Sequence, residues 1–155
     1  MEIDLGKLER VKKSSEEEYK KTGSIFCPYL KKNVAFNARG LEHIKFKGRN
    51  KARSKEDQYV RLRCLPLAEK IIALSHTLQG FQERNELVNV KRNKWTHEMQ
   101  SVAYYEFIAV IQDVRVRVII KQIKGGDPHF WSIIPFWKMD IYGNRQIHNG
   151  NPSVD

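Results

Sequence analysis

Residues 114–122 constrain the fold more than any other stretch of this chain. Val114, Val116, Val118 and Ile120 alternate with Arg115, Arg117, Ile119 and Lys121. A period of two over this length predicts a β-strand with one apolar face and one largely basic face. Such a strand needs partners along its edges and cover over its apolar side. The flanking segments offer the partners. Residues 102–112 are rich in β-branched and aromatic side chains, with Asp113 at the turn between the two runs. Residues 87–91 read as a first strand. Gly125-Gly126-Asp127-Pro128 is a strong turn signal ahead of a further strand over 130–137. The expectation is three or four antiparallel strands in a meander.

The cover comes from the first half. Asn37 is a candidate N-cap for a helix from Ala38 into the forties, with Leu41, Ile44 and Phe46 on its apolar side. Ser54-Lys55-Glu56-Asp57 reads as a second helix start. Tyr59, Leu62, Leu67, Ile71, Ile72 and Leu74 then recur at helical spacing. Pro66 is expected to split that helix, since it lacks an N–H and crowds the preceding turn, and Gly80 to stop it. Residues 9–21 mix charges with few apolar positions and read as a solvated helix or arm. Helices packed on one face of an antiparallel sheet make an α+β fold. The expected division is a charged arm or helix (1–23), one α+β domain (24–140) and a polar tail (141–155).

Length and composition agree with one core. The 155 residues are 41% hydrophobic, enough for a single packed interior and short for two. The charge balance speaks to partners. There are 28 Lys/Arg against 18 Asp/Glu, a formal net charge of +10, and such a surface attracts polyanions. No apolar run approaches the ~20 residues of a spanning helix, and the charged residues near the N-terminus do not read as a signal peptide. Cys27 and Cys64 lie far apart with no CxxC pattern, which fits a reducing cytoplasm.

Three features carry chemistry. Residues 39–63 hold nine Lys/Arg against three acids, a density suited to backbone phosphates; the bland alternative is a solvated basic face. With the basic face of residues 114–122, this segment is expected to form the walls of one cleft. His43 stands just ahead of the basic loop, where a proton shuttle working near neutral pH is in place; the alternative is an ordinary, partly buried histidine. After the Gly-Gly turn come His129, Phe130, Trp131 and Ser132. By alternation one aromatic is core and the other is available to stack a base. Neither HExxH nor paired Cys/His spacing occurs, so no metal site and no cofactor is expected. RNA cleavage is open to such a chain, because the 2′-hydroxyl is a built-in nucleophile and the protein needs only a base, an acid and cations.

The order of GLEHIKFKGRNKAR (40–53), LPLAEKIIALSHTLQG (65–80), YYEFIAVIQDVRVRVIIKQIKGG (104–126) and HFWSIIPFWK (129–138) resembles the barnase, EndoU, colicin D and RelE-like (BECR) nucleases, in particular their phage-associated branch. Members share two helices followed by a four-stranded antiparallel sheet, and many are toxins or effectors acting on RNA. The likeness spans about residues 24–138; residues 84–100 match no element of that pattern. It implies a metal-independent endoribonuclease. His43 would be the general acid or base, Lys45, Arg49 and Lys121 would stabilise charge, and Ser132 would position the scissile phosphate. Lys47, Lys51, Arg53, Arg115, Arg117, His129 and Trp131 are the expected nucleic-acid contacts. RNA is the expected partner, together with an inhibitor or antitoxin protein to restrain an active intracellular ribonuclease. The alternative is a basic nucleic-acid-binding protein without chemistry, of phage or mobile-element origin.

Overall fold

The computed structural model describes residues 4–48, 51–111, 113–135, 152, 153 and 155. Its elements follow the order α1 (Leu5–Thr22), β1 (Ser24–Cys27), β2 (Lys32–Ala35), α2 (Ala38–Lys45), β3 (Phe46–Gly48), β4 (Lys51–Ala52), α3 (Lys55–Leu74), β5 (Gly80–Lys91), β6 (Trp95–Ile111), β7 (Val114–Ile123) and β8 (His129–Pro135). The fold is α+β, with the helices in the N-terminal half. One mostly antiparallel sheet has the order β1-β2-β8-β7-β6-β5, and β3 with β4 forms a separate two-stranded ribbon.

The sheet is larger than the expected three or four strands. The two strands beyond the expected four, β1 and β2, come from residues 24–35, where no strand was expected. Each is four residues long, too short for an alternating pattern to stand out. They extend the sheet through one parallel step, Ala35 opposite His129, where the Ala35 N–H donates to the Pro128 carbonyl at 3.1 Å. At the other edge, β5 and β6 pair from Gly80–Glu106 to Lys91–Trp95, whereas β7 meets β6 only from Val102 to Ile111. The far half of the β5–β6 hairpin therefore runs past the sheet as a two-stranded ribbon. Residues 84–100, polar and unmatched in sequence, lie in it. Between β6 and β7, Asp113 takes a left-handed backbone (φ 63°), which a short polar side chain tolerates.

Pro66 does not split α3, which runs unbroken for 20 residues. Proline at position 66 leaves the Leu62 carbonyl, four residues back, without its helical donor. The Ser15 hydroxyl donates to that carbonyl at 2.9 Å from the neighbouring α1. A tertiary hydrogen bond replaces the missing local one. α1 is thereby tied into the helical layer. Leu8, Ser15 and Tyr19 are its buried residues, and the Tyr19 hydroxyl donates to the Asn37 carbonyl at 2.6 Å.

The main core lies between the helices and one face of the sheet. Phe107, Val116, Val118, Ile120, Phe130 and Ile133 meet Leu62, Leu65, Ala68, Ile71 and Ile72 of α3 there, with Ile44 of α2. Large apolar side chains closed off in this way stabilise by about 1.5–3 kcal/mol each. The opposite face carries a smaller cluster of Val102, Tyr104, Ile119 and Ile134, with Val88, Ile123 and Trp131 packed on it. Gly40 sets how closely α2 approaches the sheet. A Cβ at that position would run into the Phe130 carbonyl oxygen and lie 2.7 Å from the Tyr19 hydroxyl. Only glycine lets α2 press onto β8 this tightly, and His43 lies on α2 one turn later.

Candidate functional site

Asn37 caps α2 by accepting from the Gly40 N–H, as its sequence position suggests, and the short helix carries His43 in its last turn. The β8 strand meets it with an irregular register. Ile119 pairs with Ser132 and Ile120 with Phe130, so Trp131 is an extra residue opposite no partner. Such a bulge re-aims side chains. Phe130 goes into the helical core and stacks on Phe36 at 5.1 Å. Consecutive Trp131 and Ser132 are both left to serve the site.

Trp131 is its hub. The His43 ring stacks on it, with centroids 4.1 Å apart and planes 18° apart. The Lys121 ammonium sits over the same indole at 4.0 Å from its centre. The imidazole and the ammonium both rest on the indole, which also lines a neighbouring cleft. Lys121 is steadied by Glu86 of β5 at 3.8 Å, and Glu86 also accepts from the Tyr104 hydroxyl at 2.8 Å.

Behind His43 lies a buried arginine pair. Arg53 precedes the α3 cap Ser54, and its Nε donates to the His43 carbonyl at 3.0 Å. Its terminal nitrogen stands 3.1 Å from His43 Nε2. A guanidinium only donates, so Nε2 carries the lone pair and accepts. Asp57 bridges the pair, 2.7 Å from Arg61 Nε and 3.5 Å from Arg53. Arg61 in turn donates to Ser132 Oγ at 2.8 Å. The Arg53 and Arg61 side chains are only 1% and 7% exposed.

This surrounding changes His43. Burial, followed by the charges of Arg53, Arg61 and Lys121, lowers its imidazole from the usual 6.5 to about 2. The ring is neutral in the free protein at any ordinary pH, unlike the near-neutral titration expected from sequence. His129 is lowered to about 4, by burial and then by Lys121 and Arg39. It is buried with its ring 6.0 Å from Trp131, and its Nε2 has no hydrogen-bond partner among the described residues. Arg53 also falls, to about 10, mainly through burial, and remains charged near neutrality.

A cleft of about 440 Å³ opens beside the cluster. Arg39, Glu42 and His43 of α2 line one wall with Phe46 and Gly48 of β3, while Leu87 and Val88 of β5 line the other, with Lys121 and Trp131 between them. A cleft between the basic segment and β7 is therefore present, but its walls are mixed rather than basic on both sides. On β7 the acids answer the bases. Arg117 lies 3.8 Å from Glu106, and Arg115 is exposed six residues from Lys121, about 20 Å along the strand. Lys45 turns to α1 and pairs with Glu16 at 2.9 Å, away from the Trp131 hub. Lys47 and Lys51 are exposed on the β3–β4 ribbon, and Arg49 lies outside the described residues. Of the residues expected from sequence, His43, Arg53, Lys121, Trp131 and Ser132 come together, with His129 at the edge. Arg61 and Asp57 complete the group without having been expected. Their signal was the spacing of Asp57 and Arg61, four residues apart on one face of α3, with Arg53 four residues ahead of Asp57.

The described residues include no group of three or more His, Cys, Asp or Glu placed to hold a metal ion, and no helix among them is long and apolar enough to cross a membrane. Comparison with protein-family models, with curated proteins and with solved structures finds no match for this chain.

Proposed function

We propose that this protein is an endoribonuclease that cleaves by internal transesterification, with His43 as its proton-transfer group, in the manner of the BECR nucleases its sequence resembles. The observation that carries the reading is a neutral, buried imidazole at the wall of an open cleft, with two guanidiniums, a hydroxyl and an ammonium gathered around it. A neutral ring is the form a general base requires. It accepts the 2′-hydroxyl proton as that oxygen attacks the adjacent phosphorus, and returns it to the 5′-oxygen as the P–O5′ bond breaks, leaving a 2′,3′-cyclic phosphate and a 5′-hydroxyl. Arg53 and Arg61 stabilise the added negative charge on the phosphoryl oxygens, and the anion raises the His43 pKa by offsetting the cations that lower it. Ser132 donates to the same phosphate, and Lys121 draws the strand into the cleft. No step in this scheme is routed through a metal. The net charge of +10 suits a polyanion, and the 2′-hydroxyl that the step requires makes that polyanion RNA.

One observation favours a second reading, a nucleic-acid-binding protein without chemistry: the His43 Nε2 lone pair is already engaged by Arg53. The two readings part in a single experiment. Total RNA is incubated with purified protein in EDTA beside a His43→Ala control. The ribonuclease gives fragments ending in 2′,3′-cyclic phosphate, and His43→Ala slows their appearance by at least about 100-fold while leaving binding nearly intact. Intact RNA with salt-sensitive binding supports the second reading. Cutting by His43→Ala at the unsubstituted rate removes His43 from the chemistry.

A further inference from the structure

The arginine pair already holds an oxygen. The main-chain oxygen of Asp155 accepts from Arg61, from Ser132 Oγ at 2.8 Å and from Arg53 at 3.4 Å. Three residues earlier, the Pro152 carbonyl accepts from Trp131 Nε1 at 2.9 Å. Asp155 is 5% exposed, so this oxygen is enclosed rather than resting on the surface.

Asp57 bridges the two buried guanidiniums, and Asp155 adds its own negative charge beside Arg53, in a place with little water. Buried positive charge is costly and is relieved best by an anion. The geometry suits one with several oxygens. Arg61 and Ser132 converge on one position, and Arg53 reaches both that position and His43 Nε2. A tetrahedral phosphate seated there would present one oxygen to each guanidinium and lie against the imidazole.

We propose that Arg53, Arg61 and Ser132 form the phosphate pocket of the site, and that the backbone of Pro152 and Asp155 occupies it as an intramolecular competitor of the substrate. The phosphodiester identity of the ligand rests on the ribonuclease reading; the pocket and its occupant rest on the contacts alone. A protein whose competent state is only partly populated binds its ligand more weakly by that fraction. Pro152 and Asp155 then set the resting activity of the cleft, and anything that draws them away activates it.

The test titrates inorganic phosphate into the full chain and into a chain ending at residue 151, with calorimetry as the readout. If the pocket is open about a tenth of the time in the full chain, the shortened chain binds phosphate about tenfold more tightly. Arg61→Gln in the shortened chain takes that gain back, and a synthetic peptide of residues 151–155 competes with phosphate for it. Should the shortened chain fail to fold, Asp155→Asn in the full chain removes the negative charge that Asp155 sets beside Arg53 and tightens phosphate binding by about fivefold. Equal phosphate affinity in the variant and the full chain overturns the inference, as does a gain that survives Arg61→Gln. RNA cleavage is measured in parallel. Tighter phosphate binding without cleavage leaves the pocket and its occupant standing and removes the ribonuclease reading. Unchanged phosphate binding beside intact cleavage does the reverse.

Discussion

The two faces of the sheet are built from the same strands and put to different ends. On β7, Val116, Val118 and Ile120 close against the helices, whereas Arg117, Ile119 and Lys121 face the cleft side. On β8, Phe130 and Ile133 join the first group, and Trp131 and Ser132 join the second. The helical side is apolar and shut, and its main polar contact, Ser15 on Leu62, repairs a backbone defect. The cleft side holds buried charge, two histidines lowered by burial, and a guanidinium pair bridged by Asp57. Dispersion and burial hold the first face together, while the second holds polar groups under electrostatic load. The lesson is one of division: closure on one side tolerates a costly arrangement on the other.

The largest effect that sharpens this contrast belongs to the closed side. Phe107→Ala is expected to cost about 3–5 kcal/mol in urea unfolding, through lost burial and a cavity, while phosphate affinity of the molecules that remain folded is unchanged. A comparable loss of phosphate affinity would mean that the two faces are not separable.

The cleft side answers to pH. The folded pKa values of His43 and His129 lie below the unfolded value of 6.5, so the unfolded chain takes up protons first as pH falls. Their contribution to stability is complete above about pH 6.5 and is lost on acidification, down to about 4 for His129 and further for His43. Each slope approaches about 1.4 kcal/mol per pH unit below pH 6.5, and the two together lose about 2 kcal/mol between about pH 6.5 and 5.5. His129→Asn should remove one share of that slope. An unchanged slope would show that folding does not lower the pKa of His129.

Smaller still is the repair of α3. Ser15→Ala strands the Leu62 carbonyl and should cost about 1–3 kcal/mol. Pro66→Ala restores a helical N–H for that carbonyl. It should therefore stabilise the Ser15→Ala protein by more than it stabilises the original, a coupling that a double-mutant cycle measures. Additive effects would mean that Ser15 does not stand in for the missing donor.

Much of this was legible along the chain, and the reasons are local. The alternation of β7, the Asn37 cap and the Ser54 start are short-range signals, because a strand or a capped turn declares itself within a few residues. His43, Lys121, Trp131 and Ser132 were legible as candidates for the same reason: each stands out by type beside a recognisable turn or strand. What the sequence by itself determined is the α+β class, the order of most elements and the half of the site that lies next to such signals. The tertiary structure decided the rest. The short strands β1 and β2 pair with each other and reach the sheet through a single pair with β8, and α3 passes Pro66 because Ser15 arrives from another helix. Lys45 left the site because Glu16 came within reach, and Arg61 entered it because Ser132, 71 residues away, closed on its guanidinium. Hydrogen bonds and ion pairs act over a few ångströms in space and are indifferent to separation along the chain. The residues that take or release a buried charge are therefore chosen by the packing, after the pattern has already settled the fold class.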